Sequence, residues 1–318
     1  MSEKDFNPHD IKALAFDMDG TLLRPDKSLG ERTLEALSAC TERGIHLILA
    51  TGRGCESVEP YRKQINATGP QVYYNGAEVL DMPGGTQIHL QLLDLERARF
   101  CFELSRKKNL YYQAYFPART LSPGIFAEAP ETDGSGRSSG ASETGTPAGS
   151  GAPDLNREIL LTETLCAESD YYRKTSGLQA LAGDVEKALA EAAQGPAGII
   201  KCMFITEEKE QEGIREAVKE RFGDSVYVVR SSPLYLEILS KEVSKGSGFL
   251  HALAYLGIDP KHSVAFGDEE NDLSMLAAAG FSAAPENSTR AVKEAATFQI
   301  PSNADDGVAA FIEERILR

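Results

Sequence analysis

The sequence predicts an α/β fold: a parallel-sheet core whose chain is split in two by an inserted α/β region. Three observations carry this. Short apolar runs alternate with helical patterns over residues 1–82, and the same strict alternation returns over residues 238–318. Strands alternating with helices imply parallel pairing and right-handed crossovers. Between them, residues 83–237 show more amphipathic strands and less regular connections. At 318 residues the chain also exceeds the usual size of one hydrophobic core, so two domains are expected.

The elements follow in order. Residues 11–16 are an apolar run ending at Asp17, read as a buried strand. Residues 29–43 carry Leu34, Leu37 and Cys40 at helical spacing and stop at Gly44, a usual C-terminal glycine. Residues 45–50 are a second strand, ending in Thr51-Gly52-Arg53-Gly54, and a helix follows through Ile65. Residues 71–74 are a third strand, closed by Asn75-Gly76. In the inserted region, residues 92–109 read as a helix and 110–116 as a strand. Residues 127–155 are rich in Gly, Ser and Pro with almost no large apolar side chain. Such a segment cannot offset its ordering entropy, which predicts a disordered low-complexity insertion. Its glycines are not followed by Gly-Lys-Ser/Thr, so they form no phosphate-binding loop. A helix over 178–193, an apolar run over 199–205, a helix over 212–222 and strands over 226–229 and 234–239 complete the region. The last part reads as helix 246–256, strand 263–266, helix 273–279, strand 281–284, a helical turn or two at 291–296 and a closing helix 308–317.

Composition excludes several function classes. The formal net charge of −15 argues against a nucleic-acid partner, which needs clustered Lys and Arg. An anionic small substrate stays compatible, because a metal or lysine reverses the potential inside a cleft. The five cysteines are scattered and odd in number, the usage of a reducing, cytoplasmic setting rather than of a disulfide framework. The polar start, Met1-Ser2-Glu3-Lys4-Asp5, has no apolar stretch behind it like a signal peptide, and no apolar run is long enough to span a membrane.

Chemistry-bearing residues fall at the ends of the core strands, the edge where parallel sheets bind ligands. Asp17 and Asp19 follow the first strand. Residues i and i+2 of a strand point the same way, so the two carboxylates are expected to reach one site together. Two adjacent carboxylates repel unless a cation lies between them or one keeps its proton. Thr51 follows the second strand with a hydroxyl, and Gly52 leaves room for backbone N–H groups to approach an anion. Lys245 opens a helix and supplies positive charge, while Asp268 and Asp272 follow the last long strand. Asp17, Asp19 and Asp268 are hard oxygen ligands of the kind Mg²⁺ takes, and Asp272 lies one helical turn beyond Asp268. The ensemble suits phosphoryl transfer, in which catalysis is mainly positioning and charge neutralisation.

These residues carry a resemblance. Asp17-Met18-Asp19-Gly20-Thr21, Leu49-Ala50-Thr51-Gly52-Arg53, Val243-Ser244-Lys245-Gly246 and Gly267-Asp268-Glu269-Glu270-Asn271-Asp272 resemble, in order, the four motifs of the haloacid dehalogenase-like (HAD) hydrolases, and most closely the Cof-type phosphatases. Asn75-Gly76 and Asp305-Asp306-Gly307-Val308-Ala309 also resemble that subfamily, whereas Ala284-Pro285-Glu286-Asn287 departs from its usual Met-Gly-Asn and leaves Asn287 a weak site candidate. The resemblance implies a Rossmann-like HAD core with a type IIB cap between the third core strand and the Lys245 helix. It implies Asp17 as nucleophile forming an aspartyl-phosphate, and Asp19 as general acid and base. It further implies Mg²⁺ held by Asp17, the Asp19 backbone carbonyl and Asp268 with support from Asp272, and a phosphoryl group bound by Thr51, Gly52, Lys245 and Asn271. An acid at position 19 favours hydrolysis of a small phosphate ester, such as a sugar phosphate, over dehalogenation. Two alternatives stay open at this point: a phosphomannomutase-like mutase, and a non-catalytic binding protein on the same fold.

Overall fold

The computed structural model describes residues 3–118, 120–126, 158–195 and 197–318; the low-complexity insertion expected over 127–155 lies outside the described residues. The strands are β1 (Ala13–Phe16), β2 (His46–Leu49), β3 (Gly69–Tyr73), β4 (Glu78–Met82), β5 (Thr86–Leu90), β6 (Leu93–Asp94), β7 (Tyr112–Phe116), β8 (Ile159–Thr162), β9 (Leu181–Ala182), β10 (Gly198–Ile199), β11 (Lys201–Ile205), β12 (Val226–Ser232), β13 (Tyr235–Ser240), β14 (Ser263–Phe266), β15 (Phe281–Pro285) and β16 (Phe298–Ile300). The α-helices are α1 (Glu31–Glu42), α2 (Cys55–Gln64), α3 (Leu95–Lys108), α4 (Ala167–Ser176), α5 (Val185–Ala192), α6 (Glu208–Phe222), α7 (Lys245–Leu256), α8 (Leu273–Ala278), α9 (Arg290–Ala295) and α10 (Gly307–Phe311).

The core sheet is parallel, in the order β16-β15-β14-β1-β2. It continues through a parallel bridge, Ala50 to Val72, into β3, on which β4 and β5 fold back antiparallel. All of β1 is buried because both faces of the sheet are covered. Leu14, Phe16, Leu47 and Leu49 pack on one side with Leu37 of α1 and Phe311 of α10. Ala13, Ala15 and Ile48 pack on the other with Phe249 of α7 and Met275 of α8. The small alanines on that side let the helices lie close to the strands. The expected border between residues 82 and 83 falls in the turn between the antiparallel strands β4 and β5, and the one between 237 and 238 falls within β13.

The cap region is built on a second sheet, β12-β13-β11-β7-β8-β9, antiparallel except for β8 with β9. Strand alternation divides its residues cleanly. Cys202, Phe204, Leu236 and Ile238 pack outward under Phe102 of α3, Leu189 of α5 and Ile214 of α6. The residues between them, including Met203, Tyr115, Val229 and Leu239, join the cluster that contains the core.

Several elements differ from the sequence expectation. The helix expected over 178–193 starts only at Val185, because the Asp184 side chain accepts from Lys187 N as an N-cap and Leu181–Ala182 is taken by β9. The closing helix expected over 308–317 is α10 followed by a π-helical turn, Ile312–Ile316. Helix α4 and strands β4, β5, β6, β8, β9 and β16 have no counterpart in the sequence reading; the two- and three-residue strands among them carry no readable period.

Candidate active site

The site lies at the C-terminal ends of β1, β2, β3 and β14. Strand β1 stops at Phe16, and Asp17 N donates to Phe266 O (2.9 Å) at the very edge of the sheet. The chain then turns: Leu22 N donates to Asp17 O (3.2 Å) and Leu23 N to Met18 O (2.8 Å). Gly20 makes this turn possible, with φ of +88° and no room for a side chain, since a Cβ there would sit 2.2 Å from Asp268 Oδ2. Gly20→Ala is therefore expected to displace Asp268 and to lower Tm and activity together; thermal unfolding beside phosphatase assays checks this, and an unchanged Tm and activity would disprove the close packing.

Lys245, the first residue of α7, is almost fully buried (1%), and its Nζ donates to Asp17 Oδ1 (2.5 Å) and to Asp272 Oδ1 (2.6 Å). Its place is set by the helix start, where Ser244 and Ser247 form a reciprocal capping box. The second oxygen of Asp272 accepts from the backbone N–H groups of Asp268 (2.9 Å) and Glu269 (3.0 Å), so this carboxylate shapes the loop after β14. Thr21 Oγ1 donates to Asp268 Oδ1 (2.6 Å). One carboxylate oxygen each of Asp17, Asp268 and Asp272 lies within 4.8 Å of the others. Burial, joined by the neighbouring aspartates, raises Asp17 well above the usual carboxylate range despite Lys245. Burial likewise pushes Asp268 up to about 6, against the lowering effect of Thr21. Burial works against the charge on Lys245, but Asp17 and Asp272 outweigh it and hold its pKa far above the ordinary lysine value. One ammonium thus faces more acid than it balances. An all-oxygen carboxylate set with surplus negative charge fits a hard divalent cation.

Asp19 lies near enough to Asp17 to help raise its carboxyl, but its own carboxylate is held by partners other than Lys245. The strand has ended before Asp17, so strand alternation no longer applies. Arg53 grips Asp19 with Nε to Oδ2 (2.7 Å) and Nη2 to Oδ1 (2.6 Å), and Lys27 Nζ adds a bond to Oδ1 (2.7 Å). Burial would raise the Asp19 carboxyl, yet these two cations bring it below its ordinary value.

The remaining expected residues form a third group. Thr51 is buried, and its Oγ1 accepts from Arg53 N (3.2 Å). Asn271 Nδ2 donates to Asn75 Oδ1 (3.0 Å), and Asn75 N donates to Thr51 O (2.8 Å). Tyr74 and Asn75 both have positive φ (51° and 57°), a costly conformation that the surrounding contacts hold in place. Asn287 Nδ2 donates to Gly20 O (2.7 Å), placing this weak candidate against the loop that carries Asp17 and Asp19. Sequence reasoning assigned no role to Arg53, Lys27, Thr21 or Asn75; Arg53, Thr21 and Asn75 stood inside quoted motifs, whereas nothing local marked Lys27.

The fold and this carboxylate–lysine arrangement define a hydrolase with an α/β core and an α/β cap. The chain belongs to the haloacid dehalogenase-like hydrolase family, whose model matches residues 14–312. It is 26% identical to the pyridoxal phosphate phosphatase YbhA of Escherichia coli, over 96% of this chain and 99% of that protein. It is 25% identical to the 5-amino-6-(5-phospho-D-ribitylamino)uracil phosphatase YitU of Bacillus subtilis, over 95% and 96% of the two chains. A solved HAD subclass IIB sugar phosphatase shares the fold, with a TM-score of 0.68 at 19% identity, covering 95% of this chain and 98% of the other. The protein is an enzyme of the HAD phosphatase kind, acting on phosphate esters. Among the described residues no helix is long and apolar enough to cross a membrane.

Proposed function

We propose that the protein is a Mg²⁺-dependent phosphatase that hydrolyses a small phosphorylated metabolite through an aspartyl-phosphate on Asp17, with sugar phosphates the first class to test. The observation that carries this reading is the buried Asp17 carboxylate at the strand tip, bonded to Lys245 and beside Asp268 and Asp272. Lys245 engages Oδ1 of Asp17, leaving Oδ2 to attack phosphorus. The ester P–O bond breaks, and Asp19 gives a proton to the leaving oxygen. Asp19 then takes a proton from the water that attacks the aspartyl-phosphate, and inorganic phosphate leaves. As found, Asp19 is held as a carboxylate, the form that serves as base; acting as the acid requires it to take up a proton and loosen its bonds to Arg53 and Lys27. Thr51, Gly52, Lys245 and Asn271 hold the phosphoryl oxygens in this reading. Asp17, Asp268 and the Asp19 backbone carbonyl would hold Mg²⁺, which supplies charge neutralisation for the phosphoryl group. Asp272 supports that set from behind, since both its oxygens are already committed to Lys245 and to the Asp268 loop. The region between the two core segments acts as the cap over the site.

Phosphate release from a panel of phosphate monoesters, with and without Mg²⁺, tests the reading; no release from any of them with Mg²⁺ present would overturn it. The acid role has its own signature. Asp19→Asn is expected to lower kcat/KM, which reports phosphoryl transfer from the ester and not the later hydrolysis, by about 10²-fold or more for alkyl phosphates. The loss should be much smaller for p-nitrophenyl phosphate, whose leaving group needs no proton. Equal losses on the two substrates would remove Asp19 from that role.

A further inference from the structure

The cap sheet sends one ion pair into the contact with the core. Lys201 of β11 and Glu237 of β13 are 2.9 Å apart, with side chains only 3% and 4% exposed. Both lie on the core-facing side of the sheet, alternating with Cys202, Leu236 and Ile238 of the outer cluster. Their remaining contacts are what set them apart from an ordinary buried pair. Lys201 Nζ donates to the carbonyl of Gly52 (3.3 Å), in the loop after β2. Its ammonium also lies over the rings of Tyr115 (4.6 Å to the centroid) and Tyr74 (5.2 Å). Glu237 Oε2 accepts from Asn75 Nδ2 (3.3 Å), in the loop after β3, and Oε1 accepts from Ser231 Oγ (2.6 Å). Asn75 Oδ1 in turn accepts from Asn271, in the loop after β14. A single cap-borne pair therefore reaches three of the loops that build the site.

We propose that Lys201 and Glu237 are positioning residues: through Gly52 and Asn75 they fix the phosphate-binding loop and Asn271, so that the site is complete only with the cap sheet seated on the core. The assignment rests on the phosphatase reading of that site. Cohesion alone does not account for the pair, because a well-packed apolar replacement holds buried surfaces together as well as an ion pair does. What an apolar pair cannot do is hold a carbonyl and an amide of two loops at fixed places. The strained Tyr74-Asn75 backbone has need of such holding, since such conformations persist only where neighbours over-determine them.

The test compares the wild-type protein with Lys201→Met, Glu237→Leu and the double variant. Each single change leaves a buried charge without its partner and lowers Tm. The double variant removes both charges and is expected to regain most of the lost Tm. Its kcat should nevertheless stay about 10- to 100-fold low, the effect of displacing groups that position a substrate. Its Ki for inorganic phosphate should rise, and amide hydrogen exchange across residues 51–54 and 75 should quicken. A double variant with wild-type kcat, Ki and exchange would reduce the pair to a structural contact and overturn the proposal. The wild-type protein separates the two readings. If it releases no phosphate from any monoester, the phosphatase reading fails, while the exchange at residues 51–54 and 75 still decides whether the pair positions these loops.

Discussion

Asp17→Asn is expected to abolish phosphate release, by on the order of 10⁴-fold or more, while leaving stability within about 1 kcal/mol. The two halves of this result have separate causes. The amide is nearly isosteric with the carboxyl but cannot form the acyl-phosphate, so the covalent route is lost. The fold does not depend on the charge, because Lys245 keeps its bond to Asp272 and the amide oxygen still accepts from Lys245 Nζ. Burial already works against ionisation of Asp17, so removing its charge also removes a desolvation cost. Phosphate assays beside urea unfolding check both halves. Wild-type turnover in this variant would end the aspartyl-phosphate mechanism. A large loss of stability would show instead that the Asp17–Lys245 pair is mainly structural.

The opposite pattern is expected for Lys245→Met, which should lose activity and about 3–5 kcal/mol of stability together. Methionine matches the aliphatic length of lysine, so packing is nearly kept and the change isolates charge. Asp17 and Asp272 then lose the only ammonium bonded to them among the described residues, and both carboxylates are buried. Asp268 adds a third acid nearby. The surplus negative charge gives a second readout: Mg²⁺ should raise Tm more in this variant than in the wild type, because a cation that binds the folded site stabilises it by mass action. A variant as stable as the wild type, with the same response to Mg²⁺, would show that Lys245 does not balance these carboxylates.

Much of the strand-end edge that carries the candidate site was readable because its signals are local. An apolar run that breaks at Asp17 or at Thr51-Gly52 marks the end of a buried strand without reference to anything distant. The same holds for the four motifs and for most core helices. The limits also have physical causes. Strand alternation does not fix where Asp19 points, because β1 ends at Phe16 and Gly20, at a φ of +88°, turns the chain. Arg53, 34 residues from Asp19, gave no sign that it would hold that carboxylate.

The sequence by itself determined which residues stand at the strand ends and what kind of chemistry they can do. Residue type and hydrophobic period act over a few positions, and that range is enough to place an aspartate after a strand. Only the tertiary structure decided how these groups are shared out: Lys245 to Asp17 and Asp272, Arg53 to Asp19, and the cap's Lys201 and Glu237 to Gly52 and Asn75. Those pairings span tens to hundreds of residues. Their geometry is set by how strands register and how the cap sheet packs on the core, which no local pattern in the chain encodes.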